Sequence, residues 1–310
     1  MIRHSSPSLS PGWALLLGLS GCGADSGATE GAGSSGAAST FDASTSGVMT
    51  SGVTTSDAIT SSGGSDSGGV ALEKFSFFVT SLKAMQTLSG SPLGFGGDLR
   101  FGEQGPGAGL RGADKICAAV AEMSMPGSAA KQWRAFLSVA SDAEGQPVNA
   151  IDRIGDGPWY DRLGRLLAQT RADLLHDRPA GADPVIVNDL PNENGIPNKR
   201  PEPSLPEEDN HHTLTGSDPQ GLLFDAMATC RDWTAAAGDL ATEGRPRVGL
   251  TFPREGGMMT SMSMNWISAL IESGCAPGVT LMPTPPPGPD IVDVGSGGGY
   301  GAIYCFALSP

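Results

Sequence analysis

Two adjacent histidines, a set of asparagines and carboxylates, and five cysteines are the side chains of this sequence with chemistry to offer. His211 and His212 follow Glu207, Glu208 and Asp209, a run rich in metal ligands. Neighbouring side chains on an extended segment point to opposite faces, so two such histidines rarely reach one ion. One is expected to face the core and the other solvent. Asn188, Asp189, Glu193 and Asn194 offer oxygen donors for calcium, but without the regular spacing of an EF-hand loop, and a solvated loop is the default reading. These six residues are ligand-contact candidates, and no metal site is assigned.

Nothing marks a catalytic centre. GxSxG and HExxH motifs are missing, and the many carboxylates show no spacing that singles out an acid and base pair. Gly107-Ala-Gly109-Leu-Arg-Gly112 matches GxGxxG, a pattern whose backbone amides can cradle a phosphate. No apolar strand runs into it, so it reads as a loop feeding a helix. Trp159, Trp233 and Trp266 read as core and not as a sugar-stacking platform. No cofactor is expected and the chain is not read as an enzyme.

Cys117, Cys230, Cys275 and Cys305 form an even set, which in an oxidising compartment reads as two disulfides with three connectivities open. Zinc would need paired ligands, and no CxxC or CxxH pair exists.

The elements that must position these groups follow from periodicity. Phe75 to Thr80 is apolar and β-branched, hence a strand, and the Gly-rich run that follows to Gly112 has no sustained period. Ala113, Ile116, Cys117, Val120 and Ala121 share one helical face, which puts Cys117 on the buried side. Trp133 to Val139 reads as a strand. Pro158 stands where a helix could begin, and Trp159, Leu163, Leu166, Leu167 and Leu174 keep helical spacing to Leu175, with Pro179 as the stop. Val185 to Val187 is a short strand at most, and residues 188–210 form a polar, Pro-broken loop. His212 to Thr215, a turn at 216–219, a short helix or turn at Cys230 to Trp233, Val248 to Phe252 and Trp266 to Ile271 come next. A Pro/Gly-rich loop at 276–299 leads to a last strand, Ala302 to Leu308. Two helices followed by several short, mostly antiparallel strands predict an α+β domain.

The ends and the composition give the address. Arg3 supplies a positive start, and Trp13 to Leu19 is too short an apolar run to cross a hydrocarbon core of about 30 Å as a helix, so it reads as a signal segment. Leu19-Ser20-Gly21-Cys22 resembles the lipobox of bacterial lipoproteins, which implies a signal peptide over 1–21 and a lipid on Cys22. One acyl chain anchors only marginally and two or more anchor stably. Gly23 and Ala24 lack the Asp that retains such proteins in the inner membrane, which favours the outer membrane or cell surface. Of the 48 residues from Gly23 to Val70, 37 are Ser, Thr, Gly or Ala, too few apolar groups to offset ordering, so 22–70 is expected to be a disordered stalk of about 40 Å root-mean-square reach. Arg3 and five acidic residues precede Ala71, so the domain expected over 71–310 carries 18 Lys and Arg against 28 Asp and Glu, a net charge of −10. Such a balance argues against nucleic acid as partner.

FFVTS at 77–81, GADKICAAVAE at 112–122, WRAFLSV at 133–139, the 159–175 segment, HTLTGSDPQG at 212–221, CRDWT at 230–234 and IYCFAL at 303–308, in this order, resemble the endostatin domain at the end of certain collagens and a set of bacterial extracellular domains. The resemblance implies a C-type-lectin-like fold, with Cys117 paired to Cys305 and Cys230 to Cys275. Two family properties do not carry over. No histidine lies between His4 and His176 to stand for the family's zinc ligands, and a net charge of −10 does not suit a heparin-binding face. The EPN or QPD and WND tripeptides of calcium-dependent lectins are not matched either; the nearest are Glu202-Pro203-Ser204 and Asn265-Trp266-Ile267. The expected function is a lipid-anchored envelope binding or adhesion module for a glycan, an envelope polymer or a protein, contacting it through loops 188–210 and 276–299. A hydrolase acting on extracellular polymer and a purely structural lipoprotein are the alternatives.

Overall fold

The computed structural model describes residues 73–198, 210–252, 265–281, 288 and 290–309. The expected signal segment at 1–21, Cys22, the expected stalk, the acidic run at 207–209 and parts of both loops expected to contact a ligand lie outside them.

The last strand is the axis of the fold. All nine residues of β8 (Gly299–Ala307) are buried, as expected of a strand covered on both faces. β1 (Phe77–Val79) and β2 (Trp133–Ala135) pair antiparallel with its C-terminal half, Phe78 and Ala135 both opposite Cys305. β3 (Trp159–Tyr160) and β4 (Leu166–Ala168) make a separate two-stranded sheet. β5 (His212–Leu214) runs parallel to β8, and β6 (Arg247–Leu250) and β7 (Leu270–Ile271) extend the sheet antiparallel, giving the order β1-β8-β5-β6-β7.

Three α-helical segments, α1 (Leu82–Ser89), α2 (Ala108–Ser124) and the single turn α3 (Arg171–Leu174), accompany the sheets among the described residues, together with a tight left-handed turn, α4 (Cys230–Trp233). α2 buries Ala113, Ile116, Cys117, Val120 and Ala121, the face expected from the spacing. The architecture is α+β, and no described helix is long and apolar enough to cross a membrane. Cys117 of α2 is bonded to Cys305 of β8, and Cys230 to Cys275, with Cα atoms 5.5 and 5.7 Å apart.

The core is aromatic. Phe75, Phe78 and Trp133 have ring centroids 5.0 to 5.6 Å apart, and Phe136, Trp159 and Trp266 surround Phe306. Trp159, Trp233 and Trp266 are all buried, as expected. The indoles of Trp133, Trp233 and Trp266 donate to the carbonyls of Ser128, Ser138 and Leu174, so their N–H groups are satisfied inside.

The helix expected from Trp159 to Leu175 does not form. Asp161 Oδ1 accepts from the backbone amides of Leu163 and Arg165, and Gly164 takes φ +75°, which closes a turn and folds the segment into the β3–β4 hairpin. Leu167 is buried whereas Leu163 is 63 % exposed, so the leucines do not share a face. Only α3 remains helical, capped reciprocally by Thr170 and Asp173. Residues 185–187 form no strand, and of 266–271 only Leu270–Ile271 pairs. α1, which periodicity missed, is a short helix of about two turns, framed by Ser81 as N-cap and Gly90 as left-handed C-cap.

A half-buried cation ties the middle of the chain together. Arg178 donates to the carbonyls of Val187, Leu250 and Thr251 at 2.6 to 2.8 Å, and burial lowers its pKa to about 10. Arg178→Met keeps the stem and strands three carbonyls, so it should cost about 3 kcal/mol in chemical denaturation. A loss under about 1 kcal/mol would mean that water serves those carbonyls equally well.

Candidate functional site

A cleft of about 740 Å³ opens between α1, the C-terminal end of α2 and the 192–196 segment. The wall on the last side is built from tight hydrogen bonds. Asn192 Oδ1 accepts from the amides of Asn194 (2.9 Å) and Ile196 (3.1 Å), and Gly195 turns the chain at φ +75°. Val79 N donates to Pro191 O, so the segment continues the sheet alongside β1. Arg165, paired with Asp161, donates to Gly195 O at 2.7 Å. The polar loop expected to be solvated is therefore locked in place over its described part, with Asn192, Glu193 and Asn198 buried.

Glu193 joins this wall to α1. The Ser81 amide donates to its Oε2 at 3.0 Å and the Ser81 hydroxyl to its Oε1 at 2.6 Å, while Ser124 at the end of α2 donates to the Glu193 carbonyl. A carboxylate at a helix N-terminus is electrostatically favoured. Burial nonetheless pushes the Glu193 carboxyl above its usual range, the Ser81 hydrogen bonds opposing that shift only in part. Asn210 also lines the cleft, its Nδ2 donating to Asn198 Oδ1 at 3.0 Å.

Of the six candidate residues, Glu193 and Asn194 line this cleft. Asn188 is exposed and Asp189 half-buried, both away from it. The histidines correct expectation: His211 is 2 % and His212 4 % exposed, so neither is solvated. His212 begins β5, between β8 and β6, and the His211 ring stands edge-on to it at 4.0 Å and packs against Phe252. Nδ1 of His212 is hydrogen-bonded to Glu272 Oε1, and Glu272 Oε2 accepts from Ser296 Oγ (2.8 Å) and Gly297 N (2.9 Å). This network fastens the 296–297 turn to β5 and β7. Among the described residues no three His, Cys, Asp or Glu side chains are arranged to hold a metal ion.

The 276–299 loop is partly core over its described residues. Val294 is buried, and Ala276 and Thr280 bridge to Asp293 and Gly299. A shallower depression beside Phe95 and Phe101 is lined by Arg100, Asp98 and Glu103, whose charges are spent on one another and on Arg111 and Lys115.

Sequence reasoning missed the cleft because its walls come from residues 81–87, 123–124, 192–196 and 210. The one local signal is Ser81, a residue type suited to an N-cap, at the start of α1. Comparison of the chain with protein-family models and with curated proteins gives no match.

Proposed function

We propose that the chain is a lipid-anchored binding module of the cell envelope: an endostatin-like domain of the C-type-lectin-like kind, carried on a stalk from Cys22, that takes its ligand in the α1 cleft. The observation that carries this reading is the cleft itself, whose volume suits a small ligand and whose lining sets a few polar groups among apolar ones. The lipobox-like LSGC, the Ser/Gly stalk and the two disulfides support an exported, tethered domain. Hydrolysis of an extracellular polymer is the rival, and the His212–Glu272 pair is the feature that favours it. Both side chains are buried outside the cleft lining, and Glu193 is the single carboxyl among the described lining residues, so binding is the reading with more support.

Thr87 is exposed on α1 and lines the cleft, so Thr87→Trp should obstruct it without touching the core. In a screen of the full chain against glycans and matrix proteins, the variant is expected to lose at least about tenfold in affinity for whatever the parent binds, with unchanged thermal stability. Equal binding by the two proteins would sink the cleft as the ligand site.

A further inference from the structure

Seven of the described arginines are paired to acidic side chains, and Arg178 is spent on carbonyls. Arg231, Arg245 and Arg247 remain, with no ion pair among the described residues, and they lie together. The Arg247 guanidinium stands over the ring of Phe224, 4.5 Å from its centroid. Arg245 N donates to Met227 O at 2.9 Å, and Arg231 follows Met227 closely in the chain. The apolar side chains beside these cations face water: Phe224 is 43 % exposed, Met227 45 % and Ile271 50 %. Ile271 stands opposite Arg247 in the β6–β7 pair, hence on the same face of the sheet. The carboxylates of the 218–227 stretch, Asp218 and Asp225, each turn Oδ1 to backbone amides of their own loop.

We propose that this surface, Phe224, Met227 and Ile271 with Arg231, Arg245 and Arg247, seats the domain on a membrane of anionic phospholipid. Charge argues for an anionic partner. The domain carries 18 Lys and Arg against 28 Asp and Glu, so three arginines without carboxylates in one place reverse its sign locally. The apolar groups argue for a lipid surface over a soluble polyanion, which has acceptors for the arginines but nothing for Phe224, Met227 and Ile271. A bilayer offers anionic headgroups and, just beneath them, an acyl boundary, where aromatic and long apolar side chains flanked by arginine are stable. A second copy suits the surface less well, because a two-fold contact would bring the arginines of both copies together. The inference goes beyond the cleft reading and does not depend on it. The tethered reading supplies the reason that weak docking suffices: a stalk of about 40 Å reach keeps the domain within touching distance of its own membrane.

The test adds the full chain, with a fluorescent label on Ala226→Cys in one preparation and on Thr87→Cys in another, to vesicles that carry a nitroxide quencher on the lipid. Ala226 is exposed within the surface and Thr87 is exposed at the cleft. On vesicles of phosphatidylglycerol and phosphatidylcholine at low salt, the label at 226 is expected to be quenched and the label at 87 to stay bright. Half-quenching should need at least about tenfold more lipid on phosphatidylcholine alone, and at least about fivefold more for Arg245→Gln or Phe224→Ser. Hydrogen exchange of the unsubstituted chain, expected to slow over 224–231 and 245–247 on anionic vesicles only, reads the same contact without a label. A chain held on the vesicle through its first residues alone leaves both labels bright. That result, equal quenching at 226 and 87, or equal quenching on phosphatidylcholine overturns the proposal. A dimer in sedimentation equilibrium that Phe224→Ser dissolves assigns the surface to a second copy and overturns it as well. A mass spectrum without acyl groups on Cys22, from chain expressed in a bacterium, overturns the tethered reading alone, since the vesicle comparison measures docking from solution.

Discussion

Gly109→Ala is expected to lower the stability of the domain by more than about 4 kcal/mol, a fall in Tm of roughly 10 °C or more for a domain of this size. A Cβ built on Gly109 would stand 2.0 Å from the carbonyl oxygen of Asp232, and main-chain atoms on both sides have no rotamer with which to yield. Gly112 is in the same position, its Cβ meeting Arg100 O at 2.1 Å. Gly105 is the control: it has φ +75° and nothing within 4 Å of its added Cβ, so Gly105→Ala should cost only about 1 kcal/mol. Thermal unfolding of the three variants decides the matter. A mild effect of Gly109→Ala would show that α2 can slide away from α4.

That result bears on how the GxGxxG stretch is to be understood. Gly107 is the N-cap of α2 in the left-handed region, and Gly109 and Gly112 let the helix press against the backbones of α4 and the 99–100 segment. The motif is a packing device, which agrees with its reading as a loop feeding a helix.

Local pattern was a good guide wherever one face of one element decides burial. The α2 stripe, the tryptophans and β8 are such cases. It failed where a side chain overrides periodicity: Asp161 captures two amides and turns a leucine-spaced segment into a hairpin. It failed again at His211 and His212, because alternation predicts opposite faces but not that both faces will be covered. The cysteine spacing left three connectivities, and the resemblance implied the pair that is present. The cleft was beyond local pattern altogether. Glu193 and Asn194 drew notice as oxygen donors, yet Ser81, which gives Glu193 its setting, lies 112 residues before it.

The two disulfides are expected to differ in worth, and in a way that chain entropy alone understates. Loops of 188 and 45 residues correspond to about 5 and about 4 kcal/mol in the loop-closure model. All four cysteines are fully buried, so losing either bond adds a core defect to the entropy; Cys117–Cys305 joins α2 to the central strand. Cys230–Cys275 holds a left-handed turn: Cys230, Arg231, Asp232 and Trp233 have φ of 49°, 55°, 56° and 62°. That conformation costs non-glycine residues about 1 to 2 kcal/mol each. Freed of the staple, the turn can relax and recover part of that cost in the folded state. Cys117→Ala/Cys305→Ala should therefore lower stability by about 5 kcal/mol, and Cys230→Ala/Cys275→Ala by less than about 3 kcal/mol. The second pair should also lose amide protection locally around residues 230–235, which hydrogen exchange reads beside the denaturation midpoints. If the ranking is reversed, the turn does not relax, and the bonds of Trp233 to Ser138, Asp232 to Ala140 and Asp232 to Thr229 hold it left-handed as part of the core.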